Sequence, residues 1–353
     1  MHGPVDDTLA REVEALIRER WDGARLCALA PLAGDFSSRR YLRAALAGAG
    51  APATAVVMVL AGNVLPLSSE ELGLFPEPPS ELPFVDVHRL LTAIGAPVPA
   101  IYVAAVERGL LLLEDGGDVL LWERASAAPE DAESLYRRAI DALVLLHTRG
   151  TARRDRRCIA FTQRFDERLF LWELEHFLEY GVERRRGAPL PADRRAALRE
   201  TFAALAAELA AAPLVLSHRD FHSWNVLVRE EQLLLIDFQD ALLAPAEYDL
   251  ASLLTDRITP RLLTPAMETR LLDYYWQARG ARAAGSRRRY ALTALHRALK
   301  VIGRVQYVAL EKGKRAPLAF LPDVVATARR MLGEVALPGG LAAELDALPW
   351  PTS

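Results

Sequence analysis

The residues best able to do chemistry fall in one block: His218-Arg219-Asp220, then Asn225, then Asp237-Phe238-Gln239. Phosphoryl transfer asks a protein mainly to position reactants and neutralise charge. In that chemistry Asp220 is placed to accept the proton of an attacking hydroxyl. Asn225 and Asp237 supply hard oxygens of the kind Mg2+ takes, the rest of its shell coming from phosphates and water. His222, two residues past Asp220, is the nearest further candidate to face an acceptor, and Asp240 follows the second aspartate closely.

The elements around the block must bring these side chains together. Leu214–Leu216 reads as a short buried strand leading into the loop, and Val226–Val228 as a second strand. A polar turn over Arg229–Gln232 leads to a third strand, Leu233–Ile236. The resulting hairpin sets Asn225, at the start of one strand, beside Asp237, at the end of its partner. The spacing of aspartate, four residues and asparagine, with Asp-Phe following, is the kinase catalytic pattern, here with Gln239 in place of glycine. A surface loop with ordinary aspartate caps would not require the flanking strands as well.

Farther out, the chain divides into two parts. The first third alternates short apolar runs with turns: Leu26–Leu29, Tyr41–Leu46 and Thr54–Leu60, then Val98–Val103 and Leu110–Leu113. A Pro-rich stretch and a helical face over Phe84–Gly95 lie between them. Beyond Glu114–Asp118 the period becomes helical over 131–147, 166–183, 193–211, 260–279, 287–310 and 322–332. The expectation is an α+β, two-lobed kinase-like fold. A small β-rich, nucleotide-binding lobe would span 1–116 and a larger helical lobe 117–353.

Composition narrows the function classes. With 51% hydrophobic and 25% charged residues, the chain is that of a globular protein. A formal charge of −3 offers no footprint for nucleic acid. No apolar run approaches the roughly 20 residues needed to span a bilayer, and the first 20 residues show no signal-peptide core. A cytoplasmic protein is expected. Cys27 and Cys158 have no zinc or disulfide spacing.

The block Ser217–Val228, with Leu235–Ala241 and Glu247–Leu254, resembles the aminoglycoside phosphotransferase family. Within that family it is most similar to bacterial kinases that phosphorylate N-acetylmuramate and N-acetylglucosamine at the anomeric hydroxyl. Gly34–Arg43, Gly109–Asp118 and Arg297-Ala298-Leu299-Lys300 match further segments, so the likeness runs over most of 26–332. Trp224 and Phe36 depart from the family pattern, and Trp224 bears on the acceptor. The resemblance implies ATP (with GTP an alternative), Mg2+ and a small sugar acceptor, with antibiotics or other metabolites as alternatives. It also implies a bracing role for His218 and Asp249 and backbone contacts from Glu114 to the nucleotide base.

The chain has three lysines, Lys300, Lys312 and Lys314. None is available at the strand position where kinases hold phosphate, which here falls near Met58. The sugar-kinase subgroup lacks that lysine too. Its absence motivates a competing reading, a nucleotide-binding pseudokinase, which the intact Asp220, Asn225 and Asp237 oppose. Ser37 and Ser38 can donate to phosphate, and Arg39 and Arg43 share one strand face, so Arg43, then Arg39, is the expected substitute cation. For the acceptor, His296 and Lys300 lie one helical turn apart. Glu173, on an amphipathic helix with Glu175 and His176, is a further acceptor candidate, weighed against a solvated charged face.

Overall fold

The computed structural model describes residues 7–32, 40–60, 79–280, 284–337, 340–348 and 350. Ser37, Ser38 and Arg39 lie outside the described residues. Helix α1 (Asp7–Arg20) precedes strands β1 (Arg25–Pro31), β2 (Arg40–Ala47) and β3 (Thr54–Val59). Helix α2 (Pro83–Ile94) follows, then β4 (Ile101–Ala105) and β5 (Leu110–Glu114). The five strands form one antiparallel sheet in the order β1-β2-β3-β5-β4.

Strand alternation sends Leu42, Ala44, Val57, Leu110 and Leu112 to one face. They pack there with Val13, Leu16 and Ile17 of α1 in a small apolar cluster. The opposite face carries Met58, Leu111 and Leu113 into the main core, which continues through α2 into the helical lobe. Phe84 of α2 stacks on Phe238 with ring centroids 4.7 Å apart, so this helix joins the sheet to the catalytic block.

The sheet ends at Glu114 and helices dominate from α3 (Leu121–Ala127) onward. Helix α4 (Ala132–Leu145) runs through a π-helical turn, Leu146–Gly150, into α5 (Thr151–Arg153). Helix α6 (Glu167–His176) likewise continues through a π-helical segment, Phe177–Glu183, into α7 (Arg184–Arg186), and α8 (Ala192–Ala210) follows. Strands β6 (Leu214–Ser217) and β9 (Leu242–Pro245) pair, and β7 (Val226–Arg229) pairs with β8 (Gln232–Leu235).

The remaining helices are α9 (Ala246–Thr255), α10 (Thr259–Leu262), α11 (Pro265–Arg279), α12 (Ser286–Glu311), α13 (Leu321–Glu334) and α14 (Leu341–Ala347). The pattern over 260–279 is therefore two helices rather than one. Pro265 cannot continue a helix from within but suits its first turn, and the Thr264 hydroxyl caps α11 by accepting from the Met267 N–H.

Two glycines permit close approaches that place the site. A Cβ on Gly303 of α12 would lie 2.8 Å from the Phe177 Cα, so α12 crosses the α6 segment backbone to backbone. A Cβ on Gly116 would lie 2.6 Å from Leu227 Cδ1, so the link between sheet and helices rests on the β7–β8 hairpin.

Candidate active site

The β7–β8 hairpin does what its sequence implies. The Asn225 Nδ2 donates to the Asp220 carbonyl at 3.0 Å and lies 3.4 Å from Asp237 Oδ2. With Nδ2 turned to that carbonyl, Oδ1 is the atom left for a hard cation. Asp237 is exposed and holds a left-handed backbone (φ 62°), a conformation that costs a non-glycine residue energy and often marks functional sites. Gln239, standing where kinases carry glycine, donates from Nε2 to Asp237 Oδ1 at 2.8 Å. No local sequence signal marks this side chain as one that orients the carboxylate beside it.

The catalytic loop is held from below by Asp249 on α9. Its Oδ2 accepts the His218 N–H at 2.7 Å and its Oδ1 the Arg219 N–H at 2.9 Å. Burial works against the charge of Asp249, but His147 and the His218 N–H outweigh it and hold the carboxyl below its ordinary range. His147, also buried, is pushed the other way, toward neutrality. It bridges Asp249 (3.3 Å) to the Tyr275 hydroxyl (2.6 Å). His218 completes the brace through Nε2, 3.0 Å from the Ile236 carbonyl.

Asp220 is half-buried, its side chain 33% exposed. Burial opposes its charge, yet Lys300, Arg297 and Arg219 together hold it far below the usual carboxylate range. It is a charged carboxylate with a route to solvent.

Arg297 does the closest work: its Nη1 donates to the Arg219 carbonyl at 3.0 Å while Nη2 stands 3.7 Å from Asp220 Oδ1. The Arg219 peptide, itself left-handed (φ 77°), is thereby gripped on both sides. Arg297 also lies over the Tyr248 ring at 4.8 Å. Its place one turn before Lys300 was the available signal, read only as part of a motif.

Lys300 sits behind this arrangement, 2.9 Å from Glu173 Oε1 and 3.2 Å from the Tyr248 hydroxyl. Burial alone would strip its proton, but Glu173, Tyr248 and Asp220 keep it charged well beyond the ordinary lysine range. Glu173 corrects the solvated-face reading: its side chain is 1% exposed. Positions 170, 173, 174 and 177 share one helical face, and that face packs on α12. Glu175 does lie outside, paired with Arg199 at 2.7 Å.

His296 is also displaced from its expected role. It is fully buried among Phe165, Phe170 and Tyr248, with Nε2 3.3 Å from the Phe170 carbonyl. Burial drives its pKa down to about 3. It cannot form an acceptor-facing wall because α12 is buried along this length. His222, 8% exposed, is pushed down to about 4 by burial and is neutral near pH 7. Asp240 lies half-buried in the turn after Gln239.

On the sheet side, Arg43 shares the core-and-cleft face with Tyr41 and lies opposite Val56. Its guanidinium makes paired contacts with Asp115 (2.7 and 3.0 Å) and Asp118 (2.8 and 2.8 Å). Both aspartates belong to the link after β5. Arg43 thus clamps the sheet to the link, with its guanidinium engaged by these two carboxylates.

Met58, at the expected lysine position, is fully buried. Glu114 accepts from Arg229 Nη2 at 2.6 Å, its N–H donates to the Ala100 carbonyl, and the Asp115 carbonyl accepts from Arg229 Nη1.

A part-exposed, charged aspartate beside Asn225 and Asp237, in a chain with a five-stranded sheet and a helical lobe, has the layout of a kinase-like phosphotransferase. The chain belongs to the phosphotransferase enzyme family called APH, whose model matches residues 28–292, and it is a small-molecule kinase.

Among its relatives is the N-acetylmuramate/N-acetylglucosamine kinase of Pseudomonas putida, 31% identical over 76% of this chain and 80% of that protein. The enzyme of the same name from Pseudomonas aeruginosa is 29% identical over 88% and 85%. Similar solved structures include the ADP-bound aminoglycoside phosphotransferase APH(2'')-Ib, at a TM-score of 0.60 and 14% identity, covering 93% of this chain and 99% of that one. The choline kinase LicA from Streptococcus pneumoniae has the same score and identity, with 93% and 100% covered. At such identities these two bear on the fold. No helix of the described residues is long and apolar enough to cross a membrane.

Proposed function

We propose that this protein transfers the terminal phosphoryl group of ATP to the anomeric hydroxyl of an amino sugar of the N-acetylmuramate or N-acetylglucosamine type. The observation that carries the reading is Asp220: charged, open to solvent, and fixed beside Asn225 and Asp237. The sugar class is drawn from relatives whose names specify it.

In this mechanism the acceptor hydroxyl hydrogen-bonds to Asp220, which takes its proton as the oxygen attacks phosphorus. Arg297 fixes the carboxylate's position through the Arg219 carbonyl, and Lys300 adds positive potential from behind. The donor set suits a hard divalent cation: Asp237 offers an exposed carboxylate, and Asn225, whose Nδ2 lies 3.4 Å from Asp237 Oδ2, has an amide oxygen free of that contact. Asn225 and Asp237 would hold Mg2+, which when bound neutralises phosphate charge. Asp237 is kept in its orientation by Gln239. Ser37, Ser38 and Arg39 are proposed for the phosphates, and the Glu114–Asp118 link for the base.

The test is a panel of amino sugars, aminoglycosides and choline incubated with ATP and Mg2+, with products read by mass spectrometry. The reading expects a gain of one phosphoryl group on N-acetylated amino sugars. Gain only on aminoglycosides or choline would reject the sugar assignment.

A further inference from the structure

One arginine beside the catalytic loop has no part in the arrangement above. Arg257 follows α9 in the turn leading to α10 and is held in a left-handed backbone (φ 45°). Such a conformation in an arginine costs on the order of 1 kcal/mol, so its surroundings impose it. The guanidinium lies over the Trp224 ring at 5.4 Å and over the Phe320 ring at 5.8 Å. Trp224 comes from the catalytic loop, directly before Asn225, and Phe320 from the turn Ala316–Phe320 before α13. Two aromatic rings from separate elements therefore mount one cation.

That mount leaves donors unspent. A guanidinium carries five N–H donors in a fixed fork. The ion pair of Arg257 among the described residues is with Asp256, Nε to Oδ2 at a long 3.5 Å, and its side chain is 23% exposed. Its location is next to the chemistry. Asp256 stands 4.0 Å from Arg297 Nη2, and the same nitrogen is 3.7 Å from Asp220. The charge of Arg257 is also felt at His222, two residues past Asp220.

We propose that Arg257, stacked on Trp224, reads a carboxylate carried by the acceptor away from its reacting hydroxyl. This inference rests on the amino-sugar reading. N-acetylmuramate bears such a carboxylate on its lactyl ether, and N-acetylglucosamine has none. The planar fork suits a carboxylate, while the rings fix its plane and reduce the freedom lost on binding. Arg257 thus sets the preference between an acidic and a neutral sugar.

The experiment compares kcat/KM for both sugars, and KM for ATP, in the parent and in Arg257→Gln, Arg257→Lys and Phe320→Ala. Arg257→Gln should lower kcat/KM for N-acetylmuramate about ten- to hundredfold more than for N-acetylglucosamine, the range of a hydrogen bond to a charged group. Arg257→Lys should recover part of that difference, since it keeps charge but not the fork. Phe320→Ala, which removes half of the mount from another element, should shift the same ratio less.

Equal losses on both sugars would mark Arg257 as structural, and a raised KM for ATP with an unchanged sugar ratio would make it a phosphate ligand. Either result overturns the proposal, as does a parent enzyme that accepts N-acetylglucosamine and refuses N-acetylmuramate. If the parent phosphorylates neither sugar, the amino-sugar reading itself fails and takes this inference with it.

Discussion

The two walls of the cleft are built on different principles. On the helical side the reactive groups rest on buried, paired charges: Asp249 under the loop, and Glu173 under Lys300. On the sheet side the position near Met58 is apolar, and Arg43 is spent on a partly exposed clamp to Asp115 and Asp118. Buried pairs are costly to break, because removing one partner strands the other's charge out of water. Exposed pairs contribute little. The helical wall should therefore be rigid and intolerant of change, and the sheet wall adjustable.

The largest effect expected of this contrast is on the reaction. Asp237→Ala should lower kcat on the order of a thousandfold while leaving thermal stability close to the parent's, since the carboxylate is exposed. Activity within tenfold of the parent, measured at saturating Mg2+, would remove Asp237 from the metal site.

Next comes stability on the helical wall. Glu173→Ala should cost about 3–5 kcal/mol by leaving Lys300 buried without its carboxylate, read from urea unfolding. A loss below about 1 kcal/mol would mean that solvent reaches this pair.

Arg43→Ala, on the sheet wall, should cost about 1–3 kcal/mol, because Asp118 is open to solvent but the 8% exposed Asp115 loses its partner, and should raise KM for ATP about three- to tenfold by loosening the link. An unchanged KM would separate the clamp from nucleotide binding.

Spread over several pH units is the acid response of His296. Its folded pKa of about 3 lies below the ordinary 6.5, so the unfolded chain binds the extra proton between those values. Stability should thus fall as pH drops from about 6.5 toward 3, with a slope of up to one proton from this residue. His296→Gln should remove that slope. Melting curves of the two proteins that stay parallel across the window would show that His296 is not buried as a neutral ring.

Much of the helical wall was legible because its signals are local. Asp220, Asn225 and Asp237 sit on one loop and one hairpin, where strand period and turn length fix their approach. Long helices such as Ser286–Glu311 followed from period alone. What was missed depends on distance along the chain. Glu173 meets Lys300 from 127 residues away, and no local pattern separates a buried glutamate from a solvated one. Strand alternation puts Arg43 on the face it occupies, but its reach to Asp115, 72 residues on, depends on β3 lying between β2 and β5 in the sheet. Gln239 departs visibly from the kinase pattern, while its bond to Asp237 depends on the left-handed backbone of Asp237.

The central claim, that Asp220 drives phosphoryl transfer to an anomeric hydroxyl, is most directly tested by phosphorus NMR of the reaction product. The parent, given ATP, Mg2+ and N-acetylmuramate or N-acetylglucosamine, should yield a phosphate signal coupled to the anomeric proton. Asp220→Asn, folded to the same melting temperature within a few degrees, should yield none on the same timescale. A product formed equally fast by the variant, or phosphate on another hydroxyl, would contradict the account.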